Sequence, residues 1–355
     1  MKITRVEAWP VTMRLTEPYT AAYDVLESTT NVFLRIVTDR RVVGCGCAAP
    51  DQQATGETAE GVLNTLRTMV ETVVKGVDPL RSALLRERLE PLLRDEPSAM
   101  AAVDMALYDI VGKRCELPLW KLLGGYRESI RTSVTIGIEP VDETVERARY
   151  FVDQGFQALK IKGGLDVEAD VARVREVREA VGSEIALRFD ANQGYTAEQA
   201  LRFLDQVRDA GLETLEQPTI QAHPDLLGRV ASRGSVPIMA DESVTTLRGA
   251  FRLARDNLVD MLNVKLMKVG GIAEALKICA VARAARLDVM IGSMDESALG
   301  IAAGLHVALA DPSVAYADLD GHLGLEGDPG DGAVRLHAGT LFPNDQPGLG
   351  FELRG

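Results

Sequence analysis

Histidine is scarce in this 355-residue chain. Only His223, His306, His322 and His337 occur, and none sits at a spacing that pairs metal ligands or a nucleophile with a base. There is no G-x-S-x-G, no P-loop and no G-x-G-x-x-G following a strand, which excludes the common serine-hydrolase and nucleotide-dependent classes. Cysteine is equally sparse, at Cys45, Cys47, Cys115 and Cys279. The C-x-C at 45–47 has no second Cys or His pair beside it, so buried thiols in a reducing compartment are expected rather than zinc. Basic charge is in deficit, with 39 Lys and Arg against 52 Asp and Glu and a net charge of −13. Such a surface repels nucleic acid and mildly favours cationic ligands. No window holds the roughly 18 apolar residues of a membrane helix. The opening MKITRVEAWPVTMRL alternates like a strand and lacks a signal peptide's apolar stretch, so the cytoplasm is the expected compartment. With histidine and cysteine set aside, lysines and carboxylates must carry any catalysis.

What is present is an ordinary globular composition, 46% hydrophobic and 26% charged, arranged in two different styles. The first 125 or so residues combine strand-like stretches (2–15 and 31–47) with an Ala- and Leu-rich helical region from about 57 to 123. Within it, MAAVDMALYDIVGKRCELPLWKLLGG reads as a helix ending near Gly124–Gly125. From about 130 a short β-rich run followed by an amphipathic helix repeats eight times. The runs are 131–138, 158–162, 185–190, 212–217, 236–241, 261–266, 288–293 and 314–320. Thr196 and Gln199 have capping-box spacing before one helix. Eight βα units over roughly 190 residues predict an α/β fold of the (β/α)8 TIM-barrel type. The expected organisation is an N-terminal α+β domain over 1–125, the barrel over 126–325, and a C-terminal segment, 326–355. That tail is Gly-, Pro- and Asp-rich, ends in strand-like FELRG, and is expected to return to the N-terminal domain.

Barrel active sites lie at the C-terminal strand ends. The polar residues there are Lys160 and Lys162, Asp190, Glu216, Asp241, Lys265, Ser293 to Asp295, and Asp318 with Asp320. From Lys162 through Asp190, Glu216 and Asp241 to Lys265, the successive spacings are 28, 26, 25 and 24 residues. Each is about one βα unit, so the side chains converge in one ring. A single strand-end Asp is usually a turn or helix-cap residue, but a whole ring in phase with the repeat is not. Asp190, Glu216 and Asp241 form a hard-oxygen set suited to Mg²⁺. Lys160 and Lys162, two apart on one strand, both point inward, and Lys265 is expected to face Lys162 across the ring. Near a cation and another ammonium, such a lysine is expected to fall below its usual pKa and become a usable base.

At these residues the sequence resembles the muconate-lactonizing subgroup of the enolase superfamily, over essentially the whole chain. The K-x-K motif matches Lys160-Ile161-Lys162, the metal ligands match DAN, EQP and DES at Asp190, Glu216 and Asp241, and the second-base motif matches NVKLMKVGG with Lys265. MALYDIVGK and the TGET loop resemble the family's N-terminal capping domain. The resemblance implies a substrate carboxylate on Mg²⁺ and removal of its α-proton to give an enediolate that the metal and Lys160 stabilise. Lys162 and Lys265, one on each face, then permit a racemase or epimerase outcome, although cycloisomerases and o-succinylbenzoate synthases keep both lysines.

In the dipeptide epimerases of this subgroup, a D-x-D on the eighth strand holds the dipeptide's α-ammonium, and Asp318-Leu319-Asp320 matches it. This resemblance favours epimerisation at the C-terminal residue of L,L-dipeptides over N-succinylamino acid racemisation, o-succinylbenzoate synthesis or muconate cycloisomerisation. The expected partner is thus a small dipeptide, not nucleic acid or membrane, and a homo-oligomer is expected. Asp24 and Glu27 in the first capping loop, Asp51 in the second and Asp295 after the seventh strand suggest a preference for basic side chains. Ser293 and Thr135 complete the expected substrate contacts.

Overall fold

In the computed structural model, which describes residues 1–20, 22 and 25–353, the chain begins as a long antiparallel ribbon. β1 (Ile3–Thr20) pairs with β2 (Val25–Thr38), and β3 (Val43–Ala48) extends the sheet beyond β2. Period-two alternation gives the ribbon one apolar face, in which Val6, Leu34 and Ile36 are buried with Val62, Leu66 and Ala106 from the following helices. The helix Pro97–Cys115 is buried almost all round because it is shared. Ala102, Val103 and Ala106 pack into this core, whereas Ala101 and Met105 pack into the barrel's.

The helix expected to run to Gly124 is divided. It stops at Cys115, where Glu116 takes a left-handed conformation (φ 57°), and restarts at Leu119 after Pro118. Proline supplies no N–H and disfavours a helical residue before it, so the chain breaks here. Of the four thiols, Cys45, Cys47 and Cys279 are buried, while Cys115, at that break, is exposed.

β4 (Ile130–Arg131) precedes eight parallel strands: β5 (Val134–Ile136), β6 (Ala158–Lys162), β7 (Ala186–Asp190), β8 (Leu212–Glu216), β9 (Ile238–Ala240), β10 (Met261–Lys265), β11 (Asp288–Gly292) and β12 (Val314–Asp318). They lie side by side in chain order. A parallel bridge between Thr132 and Ala317, with Ser133 N–H donating to Ala317 O at 3.1 Å, brings the two edges together. Strands buried on both faces read as continuous apolar runs, and all five residues of β6 and of β10 are buried. The intervening helices use the local chemistry visible in the sequence. At Thr196 and Gln199 both hydrogen bonds of the capping box form, at 2.8 and 3.2 Å.

After β12 the chain turns back across the molecule. β13 (Leu325–Glu326) pairs with β1 at Arg14 and Leu15, and β14 (Val334–His337) and β15 (Thr340–Pro343) form a small sheet with β4. The strand-like FELRG is not a strand over Phe351–Leu353, and its last two residues lie outside the described ones. Among the described residues no helix is long and apolar enough to cross a membrane.

Candidate active site

Because β5 to β12 lie side by side in chain order, their C-terminal ends and the residues just past them deliver side chains to a common ring. Lys162 is the direct cross-strand partner of Asp190, and Asp190 of Glu216. Ligand oxygens of Asp190, Glu216 and Asp241, all buried, lie within 4.8 Å of one another. Burial and the neighbouring Asp190 push the Glu216 carboxyl up, and its Oε2 has no hydrogen-bond partner. Three buried carboxylates with an unsatisfied oxygen are the donor set a hard divalent cation requires, so the residues present fit Mg²⁺.

Lysines flank this triad on both sides. Lys162 Nζ donates to Asp190 Oδ2 at 2.8 Å and to Asn192 Oδ1 at 2.9 Å. Lys265 Nζ donates to Asp241 Oδ2 at 2.8 Å. β6 and β10 are four positions apart in the eight-strand order, so the two ammonium groups approach the triad from opposite sides. Lys160 lies 3.9 Å from both Asp190 and Glu216 and hydrogen-bonds Asp318. The lowered lysine expected from the sequence depends on a bound cation as well as a second ammonium, and the carboxylates of the ring act in the opposite sense. Burial alone would lower Lys265, but Asp241 overrides it and the ammonium is raised. Lys160 is raised likewise, by Asp318, Glu216 and Asp190 against burial. The nearest neighbour of each lysine is a carboxylate, and a cation held by the triad would offset the carboxylates' pull on the ammonium groups.

A cavity of about 730 Å³ opens above the ring. Lys160, Lys162, Asp241, Lys265, Asp318 and Asp320 line it, together with Thr135, Ser293, Asp295 and Asp51. Thr135 acts through its backbone, its N–H donating to Asp320 Oδ2 at 2.6 Å. Ser293 ties strand ends together, donating to Asp318 O at 3.2 Å and accepting from Gly321 N–H at 3.3 Å. Asp51 Oδ1 accepts the N–H groups of Gln53 and Ala54, each at 2.8 Å, so part of its chemistry is the turn it sits in. Asp295 accepts the Tyr19 hydroxyl, at 2.9 Å to Oδ2. Glu27 is exposed and not part of the lining; Asp24 lies outside the described residues.

Several groups here escaped the sequence reading. Lys268, 2% exposed, donates to Asp241 Oδ1 and to the Asp241 backbone oxygen. Asn263 Nδ2 donates to Glu216 Oε1 at 2.6 Å. Gln217, in the left-handed region (φ 30°), accepts Asp241 N–H at 2.9 Å and brackets the ends of β8 and β9. Gly292 is glycine for a local reason, since a Cβ there would lie 2.3 Å from Asn263 Oδ1. Asn263 and Arg188 were legible in principle, because each lies two residues before a strand-end residue and alternation points it inward. Lys268 follows its strand and had no such signal.

Residues 143–355 match the model described as enolase C-terminal domain-like, and residues 3–124 match the mandelate racemase / muconate lactonizing enzyme N-terminal domain. The chain belongs to the enolase superfamily. Among its relatives is the L-Lys-D/L-Arg epimerase of Desulforapulum autotrophicum, 38% identical over 99% of each chain. The substrate-liganded L-Ala-D/L-Glu epimerase of Bacillus subtilis superposes with TM-score 0.96 at 36% identity, covering 99% of this chain and 98% of that one. The dipeptide epimerase of Enterococcus faecalis, complexed with Mg and L-Leu-L-Tyr, does so with TM-score 0.96 at 38% identity over 99% of each chain. This superfamily member is thus similar, at nearly equal identity, to epimerases named for L-Lys-D/L-Arg and L-Ala-D/L-Glu and to one complexed with L-Leu-L-Tyr, so similarity alone does not choose among side chains.

Proposed function

We propose that this superfamily member is a Mg²⁺-dependent dipeptide epimerase that inverts the α-carbon of the C-terminal residue of L,L-dipeptides. One observation carries the reading: Lys162 and Lys265 flank the acidic triad from opposite sides, each 2.8 Å from a different member, in a cavity that Asp318 and Asp320 also line. The relatives that bind or act on dipeptides support it.

The roles follow from chemistry. Asp318 and Asp320 hold the substrate's α-ammonium, fixing which end of the dipeptide reaches the lysines. Lys162 takes the α-proton on one face, and Lys265 returns one on the other, so the configuration inverts. Lys160, held as an ammonium by Asp318, sits beside the substrate carboxylate, where negative charge develops as the proton leaves. Mg²⁺ on Asp190, Glu216 and Asp241 supplies further positive charge to those carboxylate oxygens.

A preference for basic side chains is the finer part of the proposal. Glu17, Asp51, Glu139 and Asp295 line the cavity, and the lining Arg147 is paired with Glu17 and Glu139. An acidic wall with its arginine already engaged attracts Lys or Arg and repels Glu. The same pairing disfavours N-succinylamino acid racemisation, which calls for a free cation to meet the succinyl carboxylate.

The test is incubation with Mg²⁺ in D₂O and a library of L,L-dipeptides, followed by mass spectrometry. A gain of one mass unit in Lys- or Arg-containing dipeptides is expected. Uptake in other dipeptides alone removes the charge argument. No uptake in any dipeptide, with uptake in N-succinylamino acids, overturns the reading.

A further inference from the structure

Beneath the ammonium-binding pair lies a buried polar chain that the reaction scheme above does not use. Arg188, on β7, faces the barrel interior below Asp190 and is 6% exposed. Its Nε donates to Glu213 Oε2 at 2.7 Å, and its guanidinium lies 5.0 Å from the Tyr316 ring centroid. Its Nη1 donates to Ala317 O and to Ser133 Oγ, both at 3.0 Å. Ser133, fully buried, lies 2.6 Å from Asp318 Oδ1. The other oxygen, Asp318 Oδ2, accepts from Lys160.

The direction of this chain is forced. A guanidinium only donates, so Ser133 Oγ must accept from Arg188, and a hydroxyl has a single proton to give. Accepting from Arg188 through one of its two lone pairs, Ser133 turns its proton to Asp318, at 2.6 Å, rather than to Ala317 O, at 3.4 Å. Asp318 is therefore gripped at both oxygens by two different residues of this chain, whereas Asp320 is held by Thr135, its N–H donating to Oδ2. A low-dielectric interior strengthens each of these bonds and makes their loss costly.

We propose that Ser133 and Arg188 are positioning residues for the ammonium subsite. They fix the plane of Asp318 through its Oδ1, so that the less restrained Asp320 supplies the oxygen that adapts to the incoming ammonium. Neither residue meets the substrate. Outer-shell partners of this kind commonly set the affinity of the groups that do. The proposal rests on the dipeptide reading.

The test compares kcat and KM for an L,L-dipeptide and for its des-amino analogue, in which the ammonium is replaced by hydrogen. Ser133→Ala and Arg188→Lys are measured beside the unaltered enzyme, with thermal unfolding as the control for folding. In both variants KM for the dipeptide is expected to rise at least about tenfold, with a smaller change in kcat. The analogue should change little, so discrimination between the two collapses. A purely structural defect would lower both substrates together, and that result overturns the proposal. Unchanged discrimination in Ser133→Ala overturns it too, and loss in Ser133→Ala alone removes Arg188 from it. If the unaltered enzyme exchanges no dipeptide, the dipeptide reading fails first, and this proposal with it.

Discussion

Lys265 and Lys268 divide one carboxylate between them: Lys265 holds Asp241 Oδ2 at 2.8 Å, and Lys268 holds Oδ1. Asp241 is thus presented to the centre of the triad in a fixed orientation, although it sits on the loop just past β9 rather than within the strand. Lys268→Met removes one of the two grips. Outer-shell partners are typically worth 10- to 100-fold in metal affinity, so Mg²⁺ binding by calorimetry should weaken at least about tenfold. Unchanged affinity would mean that Lys265 and Gln217 suffice to hold Asp241.

Gly292 and Asn263 make a second prediction. Alanine at 292 would place a Cβ 2.3 Å from Asn263 Oδ1 and push that side chain away from Glu216. Gly292→Ala should cost about 1–3 kcal/mol in urea unfolding, and weaken Mg²⁺ binding in the same protein. A loss of stability with full Mg²⁺ affinity would show that Asn263 does not orient Glu216.

Much of this ring was legible in the sequence for a simple reason. A barrel repeats its unit, so strand-end residues recur at a near-constant interval, and Lys162, Asp190, Glu216, Asp241 and Lys265 stand out as one series. What supports them was not. Lys268 lies in the short helix Leu266–Val269, out of phase with the series. Ser133 precedes its strand as a small polar residue of the kind found in any turn. Asp51 and Asp295 carried charge without context, and only the fold reveals that the first closes its own turn and the second meets Tyr19. The divided helix at Glu116 was written in Pro118, whose effect on the preceding residues outweighs the Ala- and Leu-rich pattern around it.

Asp295 tests the specificity proposal. Asp295→Asn keeps the size of the side chain and removes its charge while leaving an oxygen for the Tyr19 hydroxyl. The ratio of kcat/KM for a Lys- or Arg-containing dipeptide over a Leu-containing one should fall about tenfold, the scale of a lost charge interaction. An unaltered ratio would move side-chain selection away from the loop after β11.

His306 provides a pH-dependent check on the junction between the barrel and the helix Leu119–Leu123. It is fully buried, its Nδ1 accepts Trp120 N–H at 3.0 Å, and burial lowers its pKa to about 4. The unfolded imidazole titrates near 6.5. Between those values the unfolded chain binds a proton that the folded chain refuses. This contribution to stability is therefore present above about pH 6.5 and lost as pH falls towards 4, by about 3 kcal/mol. Compared with His306→Gln, the native protein should lose that much of its relative stability between pH 7 and pH 4, measured by urea unfolding at each pH. A difference that does not change with pH would mean that the imidazole takes up its proton in the fold as readily as in the unfolded chain.

Two-base transfer is the central claim, and exchange at the α-carbon tests it most directly. Lys162→Ala and Lys265→Ala, each with Mg²⁺ in D₂O, are offered the L,L and the L,D epimer of one dipeptide separately, and deuterium uptake is followed by mass spectrometry. With one lysine on each face, each variant should lose epimerisation while still exchanging the α-proton of one epimer only, and the two variants should retain opposite epimers. Epimerisation surviving in both single variants, or the same epimer exchanging in both, would contradict the opposed placement of Lys162 and Lys265 as the two bases.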